Sequence, residues 1–268
     1  MKITSTPQNL PPRIVLLGTE KIGKTTFACG SRIDGGHVAE VGLNAPVVIS
    51  VDGEEGADAL PVARFDTAKS FSEAMQNLRD LAKEHHEFRT VVIDSASALE
   101  PLIWSKVIEE DDRHPKNIEG VGGGFGKGYI AALDKWRHLC AGLDYLRKEK
   151  GMASIIIGHA KIKSINTPDT EPFDSYVFDL NDKAANLLYR WADLILFATT
   201  KTFVRGGDKN GAHGRGYDSG ERYLYTQKRA THPGGGRGSY SRIPYELPLS
   251  WNEFDKAVKA ATNNPANH

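Results

Sequence analysis

The amino-acid sequence predicts an α/β fold with a mostly parallel twisted sheet and helices on both faces. Three observations carry that reading. Short runs rich in Val and Ile alternate with segments whose apolar residues recur at helical spacing, the pattern of successive strand–helix–strand units. The first run, residues 13–17, empties into a glycine-rich turn at Gly18. A later run, residues 90–93, is closed by a single carboxylate, Asp94. Strands covered on both faces read as continuous apolar runs, as these do.

In chain order, strands are expected at 13–17 and 47–51. Ser70 followed by Glu73 makes a capping-box start for a helix that aligns Phe71, Ala74, Met75, Leu78, Leu81 and Ala82 and reaches about His86. After the strand at 90–93, Leu99, Leu102, Ile103 and Val107 mark another helix. A long helix over about 129–150 presents Leu133, Trp136, Cys140, Leu143 and Leu146, and feeds a strand at 154–157. A helix over 182–191 leads into a strand at 194–198. Residues 201–204 and 222–227 then read as a late antiparallel hairpin around a glycine-rich excursion. A single domain is expected over 1–258, with a frayed tail at 259–268.

At 268 residues the chain supports one core of ordinary size. Its 34 Lys and Arg balance 34 Asp and Glu, which excludes a chain-wide basic footprint and confines any nucleic-acid contact to a local patch. Cys29 and Cys140 lack metal-ligand spacing and are too few for a disulfide framework, so both are expected in the core of a protein from a reducing compartment. The first residues contain no apolar signal region, and no run of about 18 apolar residues occurs. A cytoplasmic protein with no membrane partner is the expectation.

Gly18-Thr19-Glu20-Lys21-Ile22-Gly23-Lys24-Thr25 fits the P-loop pattern G-x-x-x-x-G-K-[ST], between a β-branched strand and a helix, and these residues with Thr26 are expected to bind the nucleotide. Such a loop wraps phosphates with inward-pointing amides. Lys24 supplies a point charge for the β- and γ-phosphates, Thr25 a hydroxyl for Mg2+, and the following helix its positive end. ATP and Mg2+ are therefore the expected ligands. Asp94, ending a buried strand, supplies the metal's second anchor in the manner of a Walker B segment. Parallel sheets bind at the carboxyl ends of their strands, which puts Asp94 and Gly18 on one edge. Hydrolysis also needs a group to activate water. Residues 51–56 bring carboxylates to the same edge, and Glu54 is the chosen base, with Asp52 and Glu55 as rivals that spacing alone does not separate.

With these motifs in this order, the chain resembles the RecA-like P-loop ATPase core over residues 13–249, in particular the phage RecA-like proteins of single-strand annealing and recombination. The resemblance implies that the glutamate of a D-x-E turn activates water, which falls on Asp52-Gly53-Glu54. It implies a polar γ-phosphate sensor at the end of the fourth core strand, where His159 stands in place of RecA's amide side chain. It implies basic residues on a late hairpin that reach a neighbouring subunit's phosphates, for which Lys228 and Arg229 are candidates. The implied partners are single-stranded DNA, further copies of the chain in a ring or short filament, and a single-strand DNA-binding protein.

Two segments fall where RecA-like proteins carry mobile DNA loops. Residues 121–129 interleave Phe125, Lys127 and Tyr129 with glycines, and aromatic rings with a cation are the chemistry that holds single strands. Residues 161–179 begin with Lys161 and Lys163, then turn acidic around Asp169, Glu171 and Asp174. Further on, 205–222 and 232–242 are glycine-rich with scattered Arg and His, the composition of excursions that meet nucleic acid or are simply solvated. Two other classes remain open. A P-loop small-molecule kinase needs an Arg-rich lid, and none lies between the fourth strand and Asp182. A nucleotide-gated loader or adaptor would act on a protein without DNA-stimulated turnover.

Overall fold

The computed structural model describes residues 10–34, 37–40, 42, 44–168, 170–205 and 215–263. Its elements in chain order are β1 (Arg13–Gly18), α1 (Lys24–Ala28), β2 (Arg32–Asp34), β3 (His37–Glu40), β4 (Pro46–Ser50), β5 (Ala63–Arg64), α2 (Phe71–Lys83), β6 (Thr90–Asp94), α3 (Ala96–Glu109), α4 (Lys127–Glu149), β7 (Ala153–Ile165), β8 (Phe173–Phe178), α5 (Asp182–Trp191), β9 (Leu194–Arg205), β10 (Arg215–Tyr225), β11 (Gly235–Gly236), β12 (Glu246–Pro248) and α6 (Trp251–Asn263). Short 3-10 turns occupy Ile118–Gly123 and Gly238–Arg242.

The main sheet runs β12-β10-β9-β1-β7-β6-β4-β5, with β8 beside β7 and β11 beside β9, while β2 and β3 pair separately. Pairing is parallel from β9 through β1, β7, β6 and β4 to β5. It is antiparallel for β10, β12, β11 and β8. This is the mixed α/β fold, mostly parallel with a late antiparallel hairpin, that the sequence predicts.

Alternating strand residues enter two core layers, which is why the runs are apolar throughout. Val15, Leu17, Ile49, Val91, Ile93 and Ile156 pack against Phe71 and Leu78 of α2, Leu99 and Ile103 of α3, Trp136 of α4 and Leu188 of α5. Ile14, Leu16, Val48, Val92, Ile155 and Ile157 pack on the other face with Phe27 of α1 and Phe254 of α6. Each such side chain contributes about 1.5–3 kcal/mol when fully buried. Ser70 caps α2 as expected, its Oγ accepting the Glu73 N–H at 3.2 Å, while the Glu73 carboxylate reaches one residue past the reciprocal capping-box position to accept the Lys69 N–H at 2.8 Å. At the start of β1, Arg13 donates to Asp193 at 2.8 and 3.2 Å and to Asp144 at 3.2 Å, and Arg147 pairs with Asp193 at 2.9 Å.

Several expectations are corrected. Residues 259–263 are the end of α6 rather than a frayed tail: Phe254 packs edge-on against Phe27 with ring centroids 5.5 Å apart, Ala261 is buried, and Arg242 Nη2 donates to Ala261 O at 2.5 Å. Residues 264–268 lie outside the described residues. Segments 194–198 and 201–204 form one strand, β9. The strand at 154–157 runs on as β7 to Ile165 and pairs with β8 from Ala160↔Phe178 to Ile165↔Phe173. Most of 161–179, expected as a mobile loop, is therefore a ribbon whose backbone groups are already bonded. Asp169 and residues 206–214 lie outside the described residues. Within 232–242, Gly235 and Gly236 pair with Ile195 and Leu194 and a 3-10 turn follows, so this stretch is built into the sheet.

One feature of the topology places the site. β1 stops at Gly18, opposite His159 of β7 and Ala198 of β9, whereas both neighbours continue. The glycine-rich turn thus starts in a notch between two antiparallel ribbons.

Glu100 of α3 is buried, and its two oxygens accept the Asn181 N–H at 2.9 and 3.1 Å where α5 begins. Burial pushes its carboxyl up to about 7, against the opposing Asn181 hydrogen bond and the charge of Lys161. A carboxyl raised in the fold contributes stability that is complete below its unfolded value and is lost as pH rises through about 7. Glu100→Gln is expected to melt with the wild type near pH 4.5 and above it at pH 8, by up to about 3 kcal/mol. Melting below the wild type at pH 8 would mean that the Asn181 contact outweighs burial.

Candidate nucleotide-binding site

The turn after β1 closes onto α1 through Gly23, whose φ of 103° would strain any side chain. α1 spans only five residues, so its anion-binding capacity resides in the amides of the loop and first turn rather than in a long helix dipole. Lys24 turns back into the loop and donates to Thr19 O at 2.8 Å and Gly18 O at 3.2 Å. Its side chain is buried, which lowers its pKa, while Asp94, Glu54 and Glu20 pull it the other way. A buried ammonium with two backbone carbonyls for partners is a cation poised for an anion.

Thr25 Oγ1 donates to Asp94 Oδ2 at 2.7 Å. Asp94 is 2% exposed, and burial pushes its carboxyl up to about 6, with the Thr25 hydrogen bond opposing and the Glu54 charge adding to the rise. A cation at this pair would reverse that shift. Glu54 Oε1 accepts from Ser95 Oγ at 2.6 Å and from His159 Nε2 at 2.8 Å. A carboxylate only accepts, so Nε2 is the protonated nitrogen. Burial works to raise the Glu54 pKa, but the His159 and Ser95 hydrogen bonds and the charges of His159 and Lys24 outweigh it and hold the carboxyl low. Asp52 and Glu55 are exposed and do not line the cleft.

These groups enclose a cleft of about 480 Å³, bounded by Glu20, Lys21 and residues 23–26 on one side and by Gly53, Glu54, Gly56, Asp94 and His159 on the other. That volume falls in the ordinary range of ligand pockets, about 300–1,000 Å³. The turn at 52–56 closes over the Thr25–Asp94 pair because position 56 is glycine: an added Cβ would sit 2.6 Å from Thr25 Oγ1. The donor set fits Mg2+. Thr25 and Asp94 offer hard oxygen atoms, the ligand type that cation takes.

The sequence did not single out Gly56, Ser95 or Ser97, whose Oγ accepts the His159 N–H at 3.1 Å. Their only sequence signal is adjacency to the turn at 52–56 and to Asp94.

The two DNA segments fare differently. Phe125 is 97% exposed, on a turn held by the Gly122 N–H to Asp111 Oδ2 bond at 2.6 Å and by Lys127 Nζ to Gly122 O at 3.3 Å. It is a presented side chain rather than one on a loose linker. Tyr129 instead packs edge-on against Trp104, with centroids 5.8 Å apart, because α4 already begins at Lys127. Lys161 pairs with Asp179 at 3.1 Å and Lys163 with Asp182 at 2.7 Å, so ribbon formation brings both lysines to carboxylates. Lys228 and Arg229 are exposed and outside the cleft of their own chain. The Arg229 guanidinium lies 4.3 Å from the ring centre of Tyr245, which stacks on Tyr225, which stacks on His232.

The sequence matches the family described as AAA domain over residues 10–238. No curated protein matches it. Among solved structures, the crystal structure of the RadB recombinase is similar at 16% identity and a TM-score of 0.38, over 81% of this chain and 89% of that one. Among the described residues no helix is long and apolar enough to cross a membrane.

Proposed function

This chain belongs to the AAA domain family, and from that premise we propose that it is a RecA-like ATPase that hydrolyses ATP with Mg2+ and acts on single-stranded DNA in phage-type recombination or strand annealing. The observation that carries the reading is the convergence of Lys24, Thr25, Asp94 and Glu54 on one cleft at the end of β1.

The loop from Gly18 to Thr26 holds the triphosphate through its amides. Lys24 exchanges its bonds to Gly18 O and Thr19 O for the β- and γ-phosphates. Thr25 and Asp94 would hold the cation, which would supply positive charge to offset that of the phosphates. Glu54, kept ionised by its two donors, orients water and takes its proton. His159 bridges Glu54 to β7 and is placed to sense the γ-phosphate. Lys228 and Arg229, exposed beyond their own cleft, serve the cleft of a neighbouring copy in a ring or short filament. Tyr245 stiffens Arg229 for that role, since a stacked guanidinium has less freedom to lose.

Of the DNA candidates, Phe125 and Lys127 are presented to solvent, while Tyr129 is committed to packing against Trp104. Lys161 and Lys163 must first give up Asp179 and Asp182. ATP turnover is expected to rise when single-stranded DNA is added, and Phe125→Ala combined with Lys127→Ala should remove that rise while leaving DNA-free turnover unchanged. Loss of one base-stacking ring corresponds to about 1–3 kcal/mol, or roughly five- to a hundred-fold in affinity by fluorescence anisotropy. Turnover indifferent to DNA would instead favour a nucleotide-gated loader or adaptor.

A further inference from the structure

We propose that Ser95 is a positioning residue for hydrolysis: its hydroxyl anchors one oxygen of Glu54 and leaves the other to face the substrate water. The inference rests on the reading of Glu54 as the base.

Ser95 follows Asp94 directly and is fully buried. Its Oγ does two things. It caps α3 by accepting the Ala98 N–H at 3.2 Å, and it lies 2.6 Å from Glu54 Oε1. An oxygen that receives an amide proton at a helix start points its own O–H away from the helix, and here Glu54 is the acceptor in that direction. The cap therefore fixes which way the serine donates. His159 Nε2 donates to the same Oε1 at 2.8 Å. Two donors from different elements, one at the β6–α3 junction and one on β7, hold that oxygen. Among the described residues no hydrogen bond reaches Oε2, and Glu54 lines the cleft. The terminal torsion of a glutamate is otherwise broad, so anchoring Oε1 is what decides where Oε2 points. The two oxygens thus divide the work, one held by the protein and one kept for the water.

The test compares Ser95→Ala, Ser95→Gly and Ser95→Thr in the full-length chain. Glycine is tolerated at a helix N-cap far better than alanine, so Ala removes both the cap and the donor whereas Gly removes chiefly the donor. The expected result is a fall in kcat for ATP of about ten- to a hundred-fold in both Ala and Gly, the scale of a misplaced reacting group. KM for ATP and the affinity for ADP should stay within about twofold, and Thr should restore kcat, while the melting temperature falls further for Ala than for Gly. If kcat instead follows melting temperature, with Gly near the wild type, Ser95 is only a cap and the proposal fails. It fails equally if KM rises while kcat holds. Glu54→Gln measured alongside separates the two layers: wild-type hydrolysis there removes the base assignment itself, whereas an inactive Glu54→Gln beside a fully active Ser95→Gly removes the role of Ser95 alone.

Discussion

Lys24→Ala is expected to weaken ATP binding by about a hundred-fold or more, with turnover falling to background. The reason is the local charge balance. Lys24 is the cation at the floor of a cleft that also holds Asp94 and Glu54, and among the described residues its Nζ has only the carbonyls of Gly18 and Thr19 as hydrogen-bond partners before a phosphate arrives. Removing it deletes a charge-assisted contact and leaves two carboxylates facing a polyanion. Truncating one partner of a buried charge pair typically costs about 2–5 kcal/mol, about thirty-fold to several thousand-fold in affinity. Lys24→Arg should not restore binding, because a planar guanidinium does not tuck under the two carbonyls as a compact ammonium does. Calorimetric titration with ATP and Mg2+ measures the loss, and wild-type affinity or turnover in Lys24→Ala would remove the P-loop assignment.

The second large effect separates binding from chemistry. Glu54→Gln keeps the shape of the side chain and can still accept from Ser95 at the anchored oxygen, so ATP affinity should change by no more than a few-fold. An amide cannot take a proton from water, so kcat should fall by about 10²- to 10⁴-fold, the range lost with a general base. Single-turnover hydrolysis with excess protein reads this directly. Asp52 and Glu55 provide the control: both are exposed and outside the cleft, and their amide variants should retain turnover. If Glu55→Gln is the inactive variant, the base lies one residue further along the turn.

The residues from Gly18 to Thr25 and the apolar run closed by Asp94 were legible in the sequence because each is local: a loop, a strand and a helix start lie within a few residues of one another. α2 was legible for the same reason, through Ser70, Glu73 and one apolar stripe. What surrounds Glu54 was not. Its partners Ser95 and His159 stand 41 and 105 positions away, and only the sheet order brings them together. The β7–β8 ribbon was missed because both of its faces meet solvent along much of its length, so Lys161 to Ser164 show no core-facing alternation. Ile162, at 64% exposed, offers no clue there. α6 was hidden by its polar end, although Trp251, Phe254, Val258 and Ala261 recur at helical spacing.

The early stop of β1 sets a width. β7 and β9 flank the missing continuation, so their backbones stand two strand spacings apart at its base, about 10 Å, and sheet twist spreads them outward from there. A helix with its side chains measures about 10–12 Å across and does not fit between two backbones at that separation. Any group entering between these two backbones must be slender at its tip, a lone side chain or one extended polymer, while the phosphate cleft lies to the β7 side of that gap, lined by His159 and by no described residue of β9.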